Sequence, residues 1–137
     1  DDEKCKALRE FGINFGIAFQ IVDDALDYMA SQDDLGKTIG DDFREGKVTL
    51  PIIYAYETAD DAEKEFWRKI VSKDYDFMEE DLQKVQKIIQ DRGLLSRIYD
   101  DAEKFAKKAR EALSIFEDSN IKNVLLDIVN QSLTRKY

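Results

Sequence analysis

Asp23, Asp24 and Asp27 are the densest set of chemically capable side chains in this 137-residue sequence. On a helix, Asp23 and Asp27 lie one turn apart, about 6 Å along the axis, and Asp24 sits about 100° round from Asp23. Gln20 precedes Asp24 by one turn, so the four side chains share a polar patch on an otherwise apolar stretch. Three carboxylates this close repel one another and call for cations. Oxygen ligands favour Mg²⁺ or Mn²⁺, and Mg²⁺ typically takes a couple of carboxylates together with substrate phosphates and water. The segment that follows supplies Lys37, Arg44 and Lys47. Cations beside a metal–carboxylate patch suit a diphosphate, which needs neutralising from more than one side.

Other chemistries are excluded. The chain has no histidine, which removes histidine-dependent nucleophilic triads and histidine-ligated zinc. The single cysteine, Cys5, has no internal partner for a disulfide; it fits a reducing, cytoplasmic setting and reads as a small apolar filler. An EF-hand fails, because Asp23 onward lacks the loop glycine and the alternating acid spacing. The net charge of −9 argues against nucleic acid as the main partner. No window approaches the roughly 20 apolar residues of a membrane span, and no signal peptide is visible, so stable membrane insertion is not expected.

Acid runs also arise by chance in a chain with 30 acidic residues, and most are solvated faces. Asp60-Asp61 and Asp100-Asp101 read that way, as caps and exposed faces. Trp67, Phe66 and Tyr75 read as packing residues, and Arg135-Lys136 as a frayed end.

The elements that must position the aspartates are helical throughout. Leu8, Phe11, Phe15, Phe19 and Val22 recur at spacings of three and four, which predicts a first helix over Lys4–Met29. Gly12 and Gly16, one turn apart within it, imply close packing or a ligand near the backbone. Residues 30–46, with three glycines and dense charge, read as a functional loop with at most a short helical turn. Further helices are predicted in Lys47–Thr58, with Pro51 in its first turn, in Asp60–Ser72 and in Glu79–Arg92, ended by Gly93. In Leu94–Phe116 the stripe is Ile98, Ala102, Phe105, Ala109, Ala112 and Phe116. In Ser119–Leu133 it is Ile121, Val124, Leu125, Ile128 and Val129. With no strand pattern, the reading is an all-α helical bundle of about five to seven helices, residues 1–137 forming one domain.

The segment from Phe19 to Pro51, FQIVDDALDYMASQDDLGKTIGDDFREGKVTLP, resembles the second aspartate-rich region of the trans-polyprenyl diphosphate synthases. The similarity is greatest to the long-chain octaprenyl and decaprenyl members that make quinone side chains, and it covers Phe11 to Tyr54. It implies the isoprenoid synthase fold, with this helix lining a deep cavity. It implies that Asp23, Asp24 and Asp27 bind a Mg²⁺ cluster that holds the allylic diphosphate, and that Gln20 lies beside it. Lys37 and Lys47 would contact the diphosphate as it leaves. Asp41 and Asp42 match the family's GDD and read as groups that order the loop; Arg44 reads as solvated. The implied partners are an allylic diphosphate and isopentenyl diphosphate, with a homo-oligomer, a dimer in the parent enzyme. A non-catalytic subunit of a heteromeric prenyl synthase is the alternative. Against it stands the intact motif, with three aspartates and both lysines. An unrelated helical interaction domain is the third.

The family's first aspartate-rich motif and its isopentenyl diphosphate segment do not occur here, so the sequence reads as the C-terminal part of a longer synthase. By itself the 137-residue chain should not elongate isopentenyl diphosphate, and its Phe11, Phe15 and Phe19 face should drive association or repacking. An incorporation assay with labelled isopentenyl diphosphate and light scattering on the purified chain test this; robust elongation would overturn the first expectation, and a clean monomer that keeps the parent's helix arrangement the second.

Overall fold

The structure is a computed structural model that describes residues 2–29, 40–72 and 74–134. Among the described residues there are seven α-helices and no strand. They are α1 (Asp2–Leu26), α2 (Asp41–Arg44), α3 (Leu50–Glu57), α4 (Asp61–Ile70), α5 (Glu79–Asp91), α6 (Leu94–Ala112) and α7 (Asn120–Thr134), with one 3₁₀ turn at Leu113–Ile115. None of the described helices is long and apolar enough to cross a membrane.

Local signals account for most boundaries. Asp60 caps α4 by accepting the Glu63 amide at 2.8 Å. Pro51 lies in the first turn of α3, where its missing N–H costs nothing. Asp81, in the first turn of α5, accepts the Met78 amide at 3.1 Å and the Tyr75 hydroxyl at 2.9 Å. Gly93, at φ 62°, ends that helix in the left-handed conformation that glycine adopts most readily.

The chain divides into two compact units, Asp1–Asp23 with Tyr99–Lys136, and Asp24–Ile98. In the first, Ala18, Ala106, Ala109 and Val129 form a buried cluster against which Phe11, Phe15, Phe105 and Leu133 pack. Phe11 and Phe15 stack with centroids 5.9 Å apart, so two of the three phenylalanines expected to lie uncovered are half-buried; Phe19 remains 41% exposed. The α6 stripe is largely as read from the periodicity. Ile98, Ala102 and Ala109 are fully buried, and the burial extends to Ala106 and Leu113. On α7 the reading was too broad. Val129 is buried, but Ile121, Val124 and Ile128 are 76%, 56% and 41% exposed, because the packed line runs through Leu125, Val129 and Ser132 instead. Cys5 is exposed rather than filling the core, since it lies on the side of α1 opposite the packed residues.

The second unit has the larger core: Tyr28, Phe43, Ile52, Ala55, Ala59, Trp67, Ile70, Leu82, Val85, Ile89 and Leu94. Trp67 lies at its centre, 1% exposed, with Nε1 donating to Glu63 Oε1 at 2.8 Å. The other Glu63 oxygen pairs with Arg92, which also donates to Thr58 Oγ1 at 3.0 Å. One carboxylate thereby ties α3, α4 and the end of α5 together. Arg97 adds a second tie, 3.2 Å from Glu57 and 3.6 Å over the Tyr54 ring. Phe66 and Tyr75 pack on the same core, as their apolar character predicts.

Trp67→Ala should cost about 3–5 kcal/mol of stability, whereas Ile121→Ala should stay within about 0.5 kcal/mol. Urea denaturation followed by circular dichroism measures both. Equal losses would contradict the burial pattern.

Candidate functional site

Helix α1 carries Gln20, Asp23 and Asp24 and ends at Leu26, so Asp27 opens the turn that follows instead of continuing the helix. The chain tightens there: Tyr28 and Met29 amides return to the Ala25 and Leu26 carbonyls, each at 3.1 Å. Asp27 is then used twice. Its carbonyl accepts the Gly40 amide at 3.0 Å, and its Oδ2 accepts the Asp42 amide at 3.1 Å. Asp42 lies in the first turn of α2, so the carboxylate sits on amides at a helix start. Burial pushes the Asp27 carboxyl above its ordinary value and repulsion from Asp42 adds to that, while the Asp42 and Asp41 amides pull it back.

Gly40 is what allows the approach. It has φ 78°, and a Cβ placed on it would lie 2.6 Å from both Leu82 methyl carbons. Only a residue without a side chain fits both the backbone conformation and the gap.

Lys47 is drawn into the same turn. Its amide donates to Asp42 O at 2.9 Å; its Nζ lies 2.9 Å from Asp42 Oδ1 and 2.6 Å from Glu45 Oε2. The Glu45 contact, then the Asp42 contact, hold its ammonium group above its ordinary pKa. Arg44 is exposed, as the sequence suggests, and it pairs there with Asp41 at 3.2 Å and Glu79 at 3.0 Å, joining α2 to α5. Asp41 thus pairs with Arg44, and Asp42 with Lys47 and Asp27.

Beneath this surface are two hydroxyls that sequence reading missed. Tyr28 is 4% exposed, its ring edge-on to Phe43 with centroids 6.5 Å apart. Its hydroxyl and that of Thr49 are both buried without a hydrogen-bond partner among the described residues. Burial, above all, raises the Tyr28 pKa. The available signal was position: Tyr28 directly follows Asp27, and Thr49 follows Lys47 by two residues at a helix start.

Of the residues singled out from sequence, Asp27 and Lys47 are linked through Asp42. Gln20, exposed, and Asp23 and Asp24, half-buried, lie on α1 just before them. Among the described residues no three acidic or thiol groups converge into a ready metal site. Gly12 and Gly16 are exposed, and a Cβ at either would meet nothing within 4 Å, so close packing does not explain them here. Asp60 is a helix cap, Asp100 is exposed, and Asp101 pairs with Lys104 at 2.7 Å; none belongs to a site. Lys37 and Arg135-Lys136 lie outside the described residues.

Residues 1–92 match the polyprenyl synthetase family. The all-trans-nonaprenyl-diphosphate synthase (geranyl-diphosphate specific) of Rhodobacter capsulatus is 36% identical over 93% of this chain and 38% of its own length. The octaprenyl diphosphate synthase of Haemophilus influenzae is 34% identical over 96% of this chain and 40% of its own. A crystal structure of a polyprenyl synthase from Caulobacter crescentus CB15, complexed with calcium and isoprenyl diphosphate, is similar over the whole chain and 42% of its own. The TM-score is 0.90 and the identity 37%. This chain thus spans about two-fifths of the length of these relatives. It belongs to the polyprenyl synthetase family.

The Asp27 carboxyl yields a stability prediction with a definite sign. Its folded pKa lies above the unfolded value, so folding disfavours the ionised form. That penalty is present at neutral pH, shrinks as pH falls through the folded pKa, and is gone below the unfolded value of 3.8. Asp27→Asn keeps an oxygen for the Asp42 amide and removes the charge. In thermal melts without divalent metal, the variant should equal or exceed the parent at pH 7, with the gap closing toward pH 4. Lower stability at pH 7 would show that the charged contact to the amides outweighs burial.

Proposed function

We propose that this member of the polyprenyl synthetase family carries one of the two aspartate-rich sites of a trans-polyprenyl diphosphate synthase. The complete enzyme would condense an allylic diphosphate with isopentenyl diphosphate into a long-chain product of the octaprenyl or decaprenyl class, for quinone side chains. The observation that carries this reading is the linkage of Asp27, Asp42 and Lys47. It brings one carboxylate of the motif and the Lys47 ammonium group into a single turn, which supports a shared role for them toward a diphosphate. The reading includes a cytoplasmic enzyme that is a homo-oligomer, a dimer in its complete form.

The donor set fits Mg²⁺. It is made of carboxylate oxygens only, and Asp27 stands half-buried among acids whose repulsion a cation would relieve. Asp23, Asp24 and Asp27 would hold the ion together with diphosphate oxygens and water. Bound there, Mg²⁺ supplies charge neutralisation for the departing diphosphate.

The chain's own residues do the rest by placement and charge. Lys47, with Lys37, offers ammonium groups to the diphosphate. Lys47 is exposed and its ion pairs to Asp42 and Glu45 are of the weak surface kind, so a diphosphate with more charge can draw it away. Gln20 contributes an amide beside the aspartates. In the reaction the allylic carbon–oxygen bond breaks and diphosphate leaves with the bonding pair. The isopentenyl double bond then attacks the allylic carbon, and a proton is lost from the adduct. The protein lowers the barrier by stabilising the charge that develops on the leaving group in a water-poor cavity.

In the complete enzyme, Asp23→Ala and Asp24→Ala should each lower turnover at least about 10²-fold, equivalent to about 2.7 kcal/mol of transition-state stabilisation. EDTA should abolish the activity of the parent and Mg²⁺ restore it. Steady-state kinetics provide the measurement; near-normal rates in both variants would show that these aspartates do not carry the metal.

A further inference from the structure

We propose that Arg44 and Glu79 are positioning residues for diphosphate binding: their ion pair orients the short helix α2, and with it the turn that presents Lys47. The inference rests on the reading of Lys47 as a diphosphate contact. Lys47 lies just beyond α2 and is bound back to it. Its amide donates to Asp42 O at 2.9 Å, and its Nζ lies 2.9 Å from Asp42 Oδ1. Whatever tilts α2 therefore moves Lys47.

With four residues, α2 is too short to be stable by itself. On one side it is held by Asp27, whose carbonyl and carboxylate take the Gly40 and Asp42 amides. On the other it meets the segment that opens α5. Gly40 lies against Leu82, and Phe43 meets Phe77 edge-on with centroids 5.0 Å apart. Those contacts set how far α2 stands from the core, but apolar burial is non-directional. The directional contact is Arg44. Its Nη1 donates to Asp41 Oδ1 at 3.2 Å, and its Nη2 to Glu79 Oε2 at 3.0 Å and Oε1 at 3.4 Å. The guanidinium also lies 5.9 Å from the Phe77 ring centroid. A planar fork held between two carboxylates fixes an orientation. Stability does not account for the pair, because both side chains are exposed and exposed ion pairs add little. An acid at the first position of α5 suits the helix dipole. That preference leaves unexplained its pairing with an arginine 35 residues away. What the pair supplies is a direction for α2, and errors of position at a charged contact are costly in rate.

The sign of one variant separates positioning from simple electrostatics. Glu79→Gln removes a negative charge, so its field alone would strengthen diphosphate binding; loss of positioning weakens it. The test compares Arg44→Gln, Glu79→Gln, the double variant and Lys47→Ala with the parent in the complete enzyme. Three quantities are read: kcat and KM for the allylic diphosphate, inhibition by inorganic pyrophosphate with Mg²⁺, and thermal melts. Arg44→Gln and Glu79→Gln should each lower kcat/KM and weaken pyrophosphate inhibition about fivefold, with melting within about 2 °C of the parent. The double variant should be inhibited no more weakly than Arg44→Gln alone, because the two residues act as one contact. If Lys47→Ala weakens inhibition while Glu79→Gln leaves it unchanged or strengthens it, the positioning inference falls and the reading of Lys47 stands. If the double variant loses the product of the two single losses, the residues act separately and the inference falls. If melting falls in step with rate, the pair is structural and the inference falls. If Lys47→Ala leaves inhibition unchanged, the reading of Lys47 fails, and this inference with it.

Discussion

The Asp27 carboxylate is half-buried beside Asp41 and Asp42, and it is held there by backbone amides at the start of α2. The turn from Gly40 to Lys47 depends on that compromise. Without the amides, three acids would be driven apart. With them, Asp27 stays half-buried beside its acidic neighbours. The same contact converts the motif from a helical face into a fold-back. One carbonyl and one carboxylate oxygen of Asp27 receive Gly40 and Asp42, so the chain returns to its own starting point after twelve residues.

That return is made possible by groups with no chemical role. Gly40 accepts a left-handed backbone and lies against Leu82, where any side chain would collide. Phe43 meets Tyr28 on one side and Phe77 on the other, with centroids 6.5 and 5.0 Å apart, which seats α2 on the core. Arg44 then ties α2 to α5 through Glu79. Behind them, Glu63 joins Trp67 and Arg92, so α3, which begins just after Lys47, is anchored on the buried side. The turn is thus backed by an apolar core and by the Glu63–Arg92 ion pair.

Lys47 shows why the charged residues of such a site need each other. Its ammonium group is matched to Asp42 and Glu45 while it remains at the surface. Exposed pairs of that kind hold a side chain in place at small energetic cost and release it readily to a more highly charged partner. The Asp42 side chain neutralises Lys47 while its amide supports Asp27, so one residue serves both the cation and the acid.

Helical periodicity placed six of the seven described helices to within a few residues, because burial on one face of a helix writes a three-and-four spacing directly into sequence; the four-residue α2, inside a segment read as a loop, is too short to show it. Caps at Asp60 and Gly93 were equally visible, since they depend on local backbone geometry. The motif aspartates and Lys47 were legible as residue types at fixed spacings. What sequence could not contain was which face of a broad apolar stripe would meet a partner. On α7, Ile121 and Val129 look alike in sequence, yet one is 76% exposed and the other fully buried. Nor could spacing show that Asp27 leaves the helix, that Arg44 finds Glu79, or that Thr49 at the start of α3 makes no side-chain cap. The sequence by itself determined the helices and the chemistry available. The tertiary structure decided which groups meet and which oxygen takes which amide, because partners fifteen to thirty-five residues apart are brought together only by packing.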